Sequence, residues 1–283
     1  MTLLRRDMHE KNRLSWNEAT RAHNSHKRDQ AGFLRDGGST LYPEELDLLG
    51  DLQGKRLCHL QCNSGQDTLS LARLGAIVTG VDISDEAVSF AQDLSRDAGI
   101  PGTFVRSDVY DYFTTAPEAS FDIVFCSYGA LCWLSDIALW GKGVARLLAP
   151  KGRLAFVDSH PFMMVLSEQT LGLKYAYGGG EAVPDPGVND YVARAGEALT
   201  PSGWEEGVKD FVNPHPDVSF QWGMDDILMA VLTPGLRLTR VVEYPFTRWR
   251  AFDTQLEDSE RRFRLPPSIP QIPQMLGVVA MKD

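Results

Sequence analysis

The sequence predicts an α/β fold with a mostly parallel central sheet, and three observations lead to that prediction. Apolar strand segments alternate with helical segments five times between residues 56 and 158. The first strand, 56–60, is followed by a turn of small residues and then a helix, as in the βαβ start of nucleotide-binding folds. At 283 residues and 43% apolar content, the chain can bury one large core. Strands that alternate with helices in this way form parallel sheets with right-handed crossovers.

The second strand is predicted over 77–82, after a helix that ends at Gly75. The next helix is predicted from Ser84, a candidate N-cap, to Gly99, because alanine and leucine recur between them at helical spacing. A helix with this apolar face packs on a sheet.

Three more strands complete the alternation, over 103–106, 121–126 and 153–158. A helix from 137 to 148 precedes the last of them, and residues 149–152 are predicted as the break between the two. Polar or small residues follow each strand. Because ligands bind such sheets outside the carboxyl ends of the strands, the functional residues are expected there.

The chain divides into four predicted segments. An N-terminal helical appendage covers 1–50, the α/β core covers 51–160, an insertion covers 161–222, and the rest of the core covers 223–283. The last part is predicted as a helix over 225–232 and strands over 236–243 and 275–280. The insertion is too long for a plain connector. Its many aromatic residues argue against disorder, so we expect a cap over the pocket.

Composition disfavours several kinds of partner. A formal net charge of −10 disfavours nucleic acid, which needs clustered Lys and Arg. No apolar run reaches the roughly 18 residues of a membrane span, and residues 1–11 lack the apolar centre of a secretory signal. We therefore expect a cytoplasmic protein. The four cysteines have neither a disulfide framework nor a second pair at zinc spacing, so no metal site is predicted.

The turn after the first strand indicates the kind of cofactor. Asp82 lies seventeen positions after Gly65, near the offset of roughly 20 at which a carboxylate accepts the hydroxyl protons of a ribose. A dinucleotide enzyme needs three glycines against the pyrophosphate, and the side chains of Asn63 and Gln66 would block that approach. A cofactor without phosphate, held by its ribose and an amino-acid tail, tolerates them. S-adenosylmethionine is such a molecule.

At these residues the chain resembles the class I S-adenosylmethionine-dependent methyltransferases. More narrowly, residues 59–69 resemble the first motif of a bacterial small-molecule methyltransferase subgroup. The resemblance extends from Trp16 through 38–46 to Pro161, and again over the last 60 or so residues. It implies a Rossmann-like fold with a seven-stranded sheet whose last strand is antiparallel. It also implies transfer of a methyl group from S-adenosylmethionine to a nitrogen, oxygen or carbon atom of a small molecule, which leaves S-adenosylhomocysteine.

The resemblance also implies roles for individual residues. The turn of Asn63, Ser64 and Gly65 approaches the methionine part, Asp82 binds the ribose, and Ile83 packs on the adenine. The predicted cofactor-binding residues are Gln61, Asn63, Ser64, Gly65, Asp67, Thr68, Asp82, Ile83, Ser107, Asp108, Val109, Ser127 and His26.

The resemblance further implies that Asp108 takes the adenine amino group, with Ser107 and Val109 beside it. It also implies that Ser127 and Tyr128 face the sulfonium. Gln61 and Asn63 replace two glycines of the broader class, and His59 stands where that class usually has an acid near the methionine amine.

Methyl transfer is an in-line displacement, so a base is needed only when the acceptor carries a proton. Candidates for a base, or for a group that orients the acceptor, are His160 after the fifth strand, His215 in the insertion, and Tyr128. Each has a structural alternative. His160 could instead fix the turn before Pro161, His215 could be an ordinary loop residue, and Tyr128 could belong to the core.

Two other functions remain open at this point. One is an adenosine-cofactor-binding protein that does not methylate, either pericyclase-like or regulatory. The other is a nicotinamide-dependent oxidoreductase. An aromatic cap suits a compact, partly apolar acceptor, which favours a role in natural-product biosynthesis. The protein is expected as a monomer or a homodimer.

Overall fold

Three helices precede the first strand. In the computed structural model, which describes residues 4–283, they are α1 (Arg6–Ser25), α2 (Gln30–Arg35) and α3 (Pro43–Leu49). Asp29 caps α2 by accepting the Gly32 N–H, and the Glu45 carboxylate accepts the Tyr42 N–H at the start of α3. The helical character expected of 1–50 is thus present from residue 6. Residues 1–3 of that segment lie outside the described residues.

The core alternates strands and helices. Its elements are β1 (Arg56–Leu60), α4 (Gln66–Arg73), β2 (Ile77–Asp82), α5 (Asp85–Ala98), β3 (Thr103–Arg106), α6 (Val109–Thr115), β4 (Phe121–Ser127), α7 (Ile137–Leu147) and β5 (Leu148–Ser159). Helix α6 was not predicted because its seven residues are largely β-branched or aromatic, which favours strands. Asp108 starts it by accepting the Tyr110 N–H at 2.9 Å.

Strand β5 begins earlier than predicted. Leu148 pairs with Phe121, and after an irregularity Arg153 pairs with Ile123. Lys151, between them, has a φ of 63°, as expected where a bulge bends the strand. The predicted break over 149–152 is therefore an irregular part of the strand itself.

The remaining elements are mostly short. They are α8 (Pro161–Met164), β6 (Glu181–Asp185), α9 (Tyr191–Ala195), β7 (Asp217–Gln221), α10 (Met224–Leu232), β8 (Arg237–Tyr244), β9 (Leu256–Glu257), β10 (Phe263–Arg264) and β11 (Met275–Met281). Strands β6 and β7 pair with each other, antiparallel, in a separate two-stranded ribbon. The insertion over 161–222 is thus ordered by its own pairing.

Seven strands form the main sheet in the order β3-β2-β1-β4-β5-β11-β8. The first five in sequence are parallel, and β11 pairs antiparallel with both β5 and β8. The predicted seven-stranded sheet with an antiparallel last strand is confirmed. Because β1, β2 and β4 are parallel neighbours, the residues that follow them lie along one edge of the sheet.

Apolar side chains cover both faces of the sheet. On one face the fully buried Trp140 and Phe156 meet edge to face, with α6, α7 and α10 around them. On the other face Phe125 and Ile123 pack with Leu49 of α3. Within residues 4–283, no helix has both the length and the apolar composition needed to cross a bilayer.

Candidate functional site

A cavity of about 780 Å³ lies at the carboxyl edge of the sheet. Its walls come from α1, from the ends of β1, β2 and β4, from the insertion, and from residues 248–252. The volume lies within the roughly 300–1,000 Å³ of small-molecule sites. The predicted residues that line it are Gln61, Asn63, Asp67, Asp82, Ile83, Asp108, Val109, Ser127 and Tyr128.

Asp82 ends β2 and faces the cavity with a carboxylate fixed by the backbone. Oδ2 accepts the Asn63 N–H at 2.7 Å, and Oδ1 accepts the Ser84 N–H at 2.8 Å. Burial raises the pKa of this carboxyl, and the backbone hydrogen bonds partly offset the rise. Each carboxylate oxygen has a second lone pair, so the group can still accept two hydroxyl protons.

The glycine of the turn serves packing. Gly65 has a φ of 77°, and a Cβ there would lie 2.7 Å from the Ala91 Cβ and 2.8 Å from the Phe104 ring. Glycine therefore lets the start of α4 approach α5 and β3. Ser64 and Thr68 also turn away from the cavity: Ser64 Oγ donates to Asn63 Oδ1 at 2.9 Å, and Thr68 Oγ1 lies 2.9 Å from a ring nitrogen of His59. The prediction that the whole turn approaches the ligand needs correction, because only Asn63 of its three residues lines the cavity.

Gln61 and Asn63 occupy glycine-like conformations, with φ of 56° and 48°. Gln61 Nε2 donates to the Ala130 carbonyl at 2.7 Å. Its Oε1 is buried and, within residues 4–283, accepts no hydrogen bond. A buried acceptor without a partner beside a cavity suits a ligand that brings a donor.

His59 lies behind this turn as a neutral ring. It contacts Thr68 on one side, and its Nε2 lies 3.3 Å from Ser127 Oγ on the other. Burial lowers the pKa of His59 to about 3, so the ring carries no charge at neutral pH. The acid of the broader class is thus replaced here by an uncharged polar group.

Asp108, after β3, has partners on α1 that the sequence did not predict. Its Oδ2 lies 2.7 Å from both His9 Nδ1 and Arg6 NH1. Burial raises the pKa of this carboxyl, but the hydrogen bonds from His9 and the Tyr110 N–H, together with the charges of His9 and Arg6, lower it overall. Ser107 does not line the cavity, because its hydroxyl donates to the Asp108 carbonyl at 2.9 Å.

The structure places His160, a predicted base, outside the cavity. Its Nε2 lies 2.9 Å from Glu243 Oε1, and its Nδ1 accepts the Phe162 N–H at 3.1 Å. Both ring nitrogens are used and the ring does not line the cavity. His160 caps α8, which is the alternative that the sequence left open.

His215 and His26 are also outside the cavity lining. His215 lies in the loop before β7, where its N–H donates to Asn213 Oδ1. His26 stacks on Trp204 with ring centroids 4.8 Å apart, and its Nε2 lies 2.8 Å from Asp190 Oδ2. His26 thus joins the end of α1 to the insertion, which corrects its predicted contact with the cofactor.

Lys27 is a cavity residue that sequence reasoning missed. Burial lowers its pKa to about 8, and the charges of Asp67 and Asp190 oppose that shift. Asp67, a predicted residue, lines the same cavity and accepts the Thr40 hydroxyl proton at 2.5 Å. A single lysine after a helix has no pattern that distinguishes it from a surface lysine, so no feature of the sequence could have identified it.

Tyr128 forms part of a buried polar group at the cavity wall. Its hydroxyl donates to Glu44 Oε1 at 3.2 Å, and Glu44 forms a bidentate pair with Arg248, with both distances 2.6 Å. Burial, with the nearby charges of Glu45 and Glu44, raises the pKa of the Tyr128 phenol. The phenol is therefore protonated at neutral pH and cannot accept a proton from a ligand.

The opposite side of the cavity is built from aromatic and insertion residues. Trp16 of α1 and Trp133 after β4 meet edge to face at 5.6 Å. The insertion supplies Met163, Tyr175, Val183, Tyr191, Asp217, Ser219 and Gln221 to the lining. In the described part of the chain, no three His, Cys, Asp or Glu side chains converge as metal ligands, and the four cysteines are free thiols.

Comparison with known proteins finds similarity to methyltransferases over part of the chain. Residues 58–156 match the family described as methyltransferase domain. The chain is 30% identical over 133 residues to the ubiquinone biosynthesis O-methyltransferase of Paracidovorax citrulli, covering 47% of this chain and 56% of that one. It is 30% identical over 177 residues to the protein of the same name from Xanthomonas oryzae pv. oryzae, covering 62% and 64%. The chain thus spans less than two thirds of these relatives.

The fold is similar to that of a S-adenosylmethionine-dependent methyltransferase from Mesorhizobium loti, seen in a crystal structure. The TM-score is 0.57 at 21% identity, and the match covers 88% of this chain and 100% of that one. At this identity the likeness shows a shared fold.

Proposed function

We propose that the chain is a class I S-adenosylmethionine-dependent methyltransferase, which transfers the methyl group of S-adenosylmethionine to a small molecule. The observation that carries the proposal is the placement of Asp82 and Asp108 at neighbouring strand ends, on one cavity. The cavity is large enough for a cofactor and a compact acceptor together.

The residues at the sheet edge fit this cofactor. Asp82 would accept the ribose hydroxyl protons, and Ile83 and Val109 would pack beside the adenine near Asp108. The unpartnered Oε1 of Gln61 would accept a proton from the amino-acid end, whose carboxylate has a counter-charge in Lys27. When bound, S-adenosylmethionine supplies a methyl group on a cationic sulfur, which is the electrophile of the reaction.

The chain's own part in the reaction is alignment and exclusion of water. Ser127 and Tyr128 end β4 at the cavity, and the aromatic residues of α1 and of the insertion close its other side. Because the Tyr128 phenol stays protonated and donates to Glu44, it acts as a fixed wall. His160 and His215 lie outside the cavity, so neither is placed to take a proton from the acceptor.

The acceptor is proposed as a small, partly apolar molecule methylated on nitrogen, oxygen or carbon. The names of the two relatives support oxygen, and the aromatic lining supports an acceptor of natural-product type. A cytoplasmic location and a monomeric or homodimeric state remain predictions.

Calorimetric titration tests the proposal against the two alternatives. The protein should bind S-adenosylhomocysteine and show no heat with NAD or NADP. A nicotinamide oxidoreductase would show the reverse. Incubation with S-adenosylmethionine and an acceptor panel, with products followed by mass spectrometry, should then give a methylated product. Tight S-adenosylhomocysteine binding with no product from a broad panel would favour the non-methylating protein.

A further inference from the structure

Strand β7 turns a polar face into the cavity. Val218 and Phe220 are buried and do not line it, whereas Asp217, Ser219 and Gln221 do. Asp217 and Gln221 are each only 4% exposed. The alternation is that of a half-buried strand, but the polar face points to the cavity instead of bulk water.

These buried polar groups have no partner in the protein. Within residues 4–283, neither the Asp217 carboxylate nor the Gln221 side-chain amide makes a hydrogen bond, although both are aimed into the cavity. Their polar atoms therefore open on the cavity, where a ligand with matching groups can pair with both the carboxylate and the amide. The neighbouring amide of Asn12 is already used, because it bonds both the N–H and the carbonyl of Val218.

A second carboxylate lies directly opposite the first. Asp185 of β6 pairs in register with Asp217 of β7, and both line the cavity. Like charges directly opposite each other destabilise a strand pair. Burial and the charge of Asp185 raise the pKa of Asp217 to about 7. Among the described residues neither acid has a cation within salt-bridge distance. Lys174, on the same wall, lies over the Tyr175 ring at 4.7 Å, and Tyr175 and, to a smaller extent, the charge of Asp185 raise its pKa.

We propose that this polar face, made of Asp185, Asp217, Ser219 and Gln221, binds a cationic amino group of the acceptor. The inference rests on the proposed function, because the ligand is taken to be the methyl acceptor. A neutral hydroxyl would satisfy the hydrogen bonds but would not offset the repulsion between the two carboxylates. A metal ion is disfavoured because no third ligand of the His, Cys, Asp or Glu kind converges on the pair in the chain as described.

The apolar body of the acceptor has a surface to rest on. Trp133 lies beside the polar face, because the turn Leu131–Trp133 contacts β7. Trp16 meets Trp133 edge to face. The amino group is a recognition group in this proposal and need not be the atom that receives the methyl group.

Two probes that differ only in charge test the proposal. Benzylamine and benzyl alcohol share a ring, but only the amine is a cation at pH 7.5. Their dissociation constants are measured by ligand-observed NMR, with and without saturating S-adenosylhomocysteine. Wild-type protein should prefer benzylamine by about tenfold, the size expected of one charged hydrogen bond. Asp217→Asn should abolish the preference, and Asp185→Asn should reduce it.

Glu181→Gln is the matched control, because Glu181 lies on the same ribbon but is exposed and outside the cavity lining. It should keep the full preference. Asp217→Asn removes a like-charge contact, so its melting temperature should equal or exceed that of the wild type. A fall in melting temperature with an unchanged amine preference would show that Asp217 is a structural residue and would overturn the proposal.

The two proposals fail in different ways. Wild-type protein that binds S-adenosylhomocysteine and takes both probes equally overturns the amine site alone. Wild-type protein that prefers benzylamine but does not bind S-adenosylhomocysteine supports the amine site and overturns the proposed cofactor.

Discussion

The two sides of the cavity treat their buried carboxylates differently. On the sheet side, Asp82 accepts two backbone N–H groups, and Asp108 has His9 and Arg6 as partners. On the insertion side, Asp217 has no partner among the described residues and faces Asp185. The geometry of the sheet side is therefore fixed by the protein itself, whereas the insertion side has polar groups that are free to pair with a ligand.

This difference assigns a separate task to each side. A side fixed by backbone hydrogen bonds keeps one geometry and suits the constant partner, the cofactor. A side with unpaired polar groups discriminates between ligands, because a molecule without the matching group leaves those side chains unsatisfied. The predictions below test the fixed side first.

The largest expected effect is the loss of stability when the buried pair of Arg248 and Glu44 is broken. This pair fixes the wall behind Tyr128. Arg248→Met would leave Glu44 buried without its cation, and breaking such a pair costs about 3–5 kcal/mol. Urea unfolding at pH 7 measures the loss. Arg240→Met is the control, since Arg240 pairs with Asp47 on the surface, where a much smaller loss is expected. Equal losses in the two variants would show that the wall is not fixed by this pair.

His59 makes the fixed side sensitive to acid. The folded protein keeps this ring neutral down to about pH 3, whereas an unfolded histidine takes up a proton near pH 6.5. The unfolded state therefore binds more protons below pH 6.5, and stability falls as the pH falls from there. At pH 4 this difference in proton binding lowers the free energy of unfolding by about 3 kcal/mol.

Unfolding free energies at pH 7 and pH 4 measure this effect, with His59→Gln as the comparison. The variant should lose less stability on acidification than the wild type. Parallel losses in both proteins would remove His59 as the source of the acid sensitivity.

Asp82→Asn tests the fixed carboxylate itself. The amide keeps one acceptor oxygen for the turn but loses the charge, so affinity for S-adenosylhomocysteine should fall by about 2 kcal/mol, or roughly thirtyfold. Isothermal titration calorimetry gives the value. Asp93→Asn, on the exposed side of α5, should bind as the wild type does. Wild-type affinity in Asp82→Asn would take this residue out of the site.

His160→Asn has the smallest expected effect. Asparagine can also cap α8, so the unfolding free energy should fall by about 1 kcal/mol or less, and turnover should stay within about twofold of the wild type. The measurement is initial rate with any acceptor found in the panel. A loss of turnover with unchanged folding would restore a catalytic part for this ring.

The sheet side could be predicted from sequence because its residues follow strands in a regular order. An acid at the end of an apolar strand of a βαβ unit lies at the carboxyl edge of the sheet, where ligands bind, whatever the rest of the chain does. Asp82 and Asp108 both lie at this edge. The placement of His160 outside the cavity could not be predicted, because a sequence shows residue types but not which atoms already have partners. Lys27 and His9 reach the cavity through the packing of α1, which no local pattern specifies.

The insertion side was harder for a different reason. The alternation from Asp217 to Gln221 indicates a strand with one apolar face, and the default expectation is that its polar face meets water. Only the pairing of β7 with β6, and its contact with α1 through Asn12, turn that face to the cavity. The sequence showed the charges and the alternation of β7, but it did not show which way the polar face of the strand points.

A crystal structure of the protein with S-adenosylhomocysteine tests the central claim most directly. The account predicts both ribose hydroxyls within about 2.6–3.2 Å of the Asp82 carboxylate, and the adenine between Ile83 and Val109 beside Asp108. S-adenosylhomocysteine bound elsewhere, or bound in the cavity with its ribose away from Asp82, would contradict it.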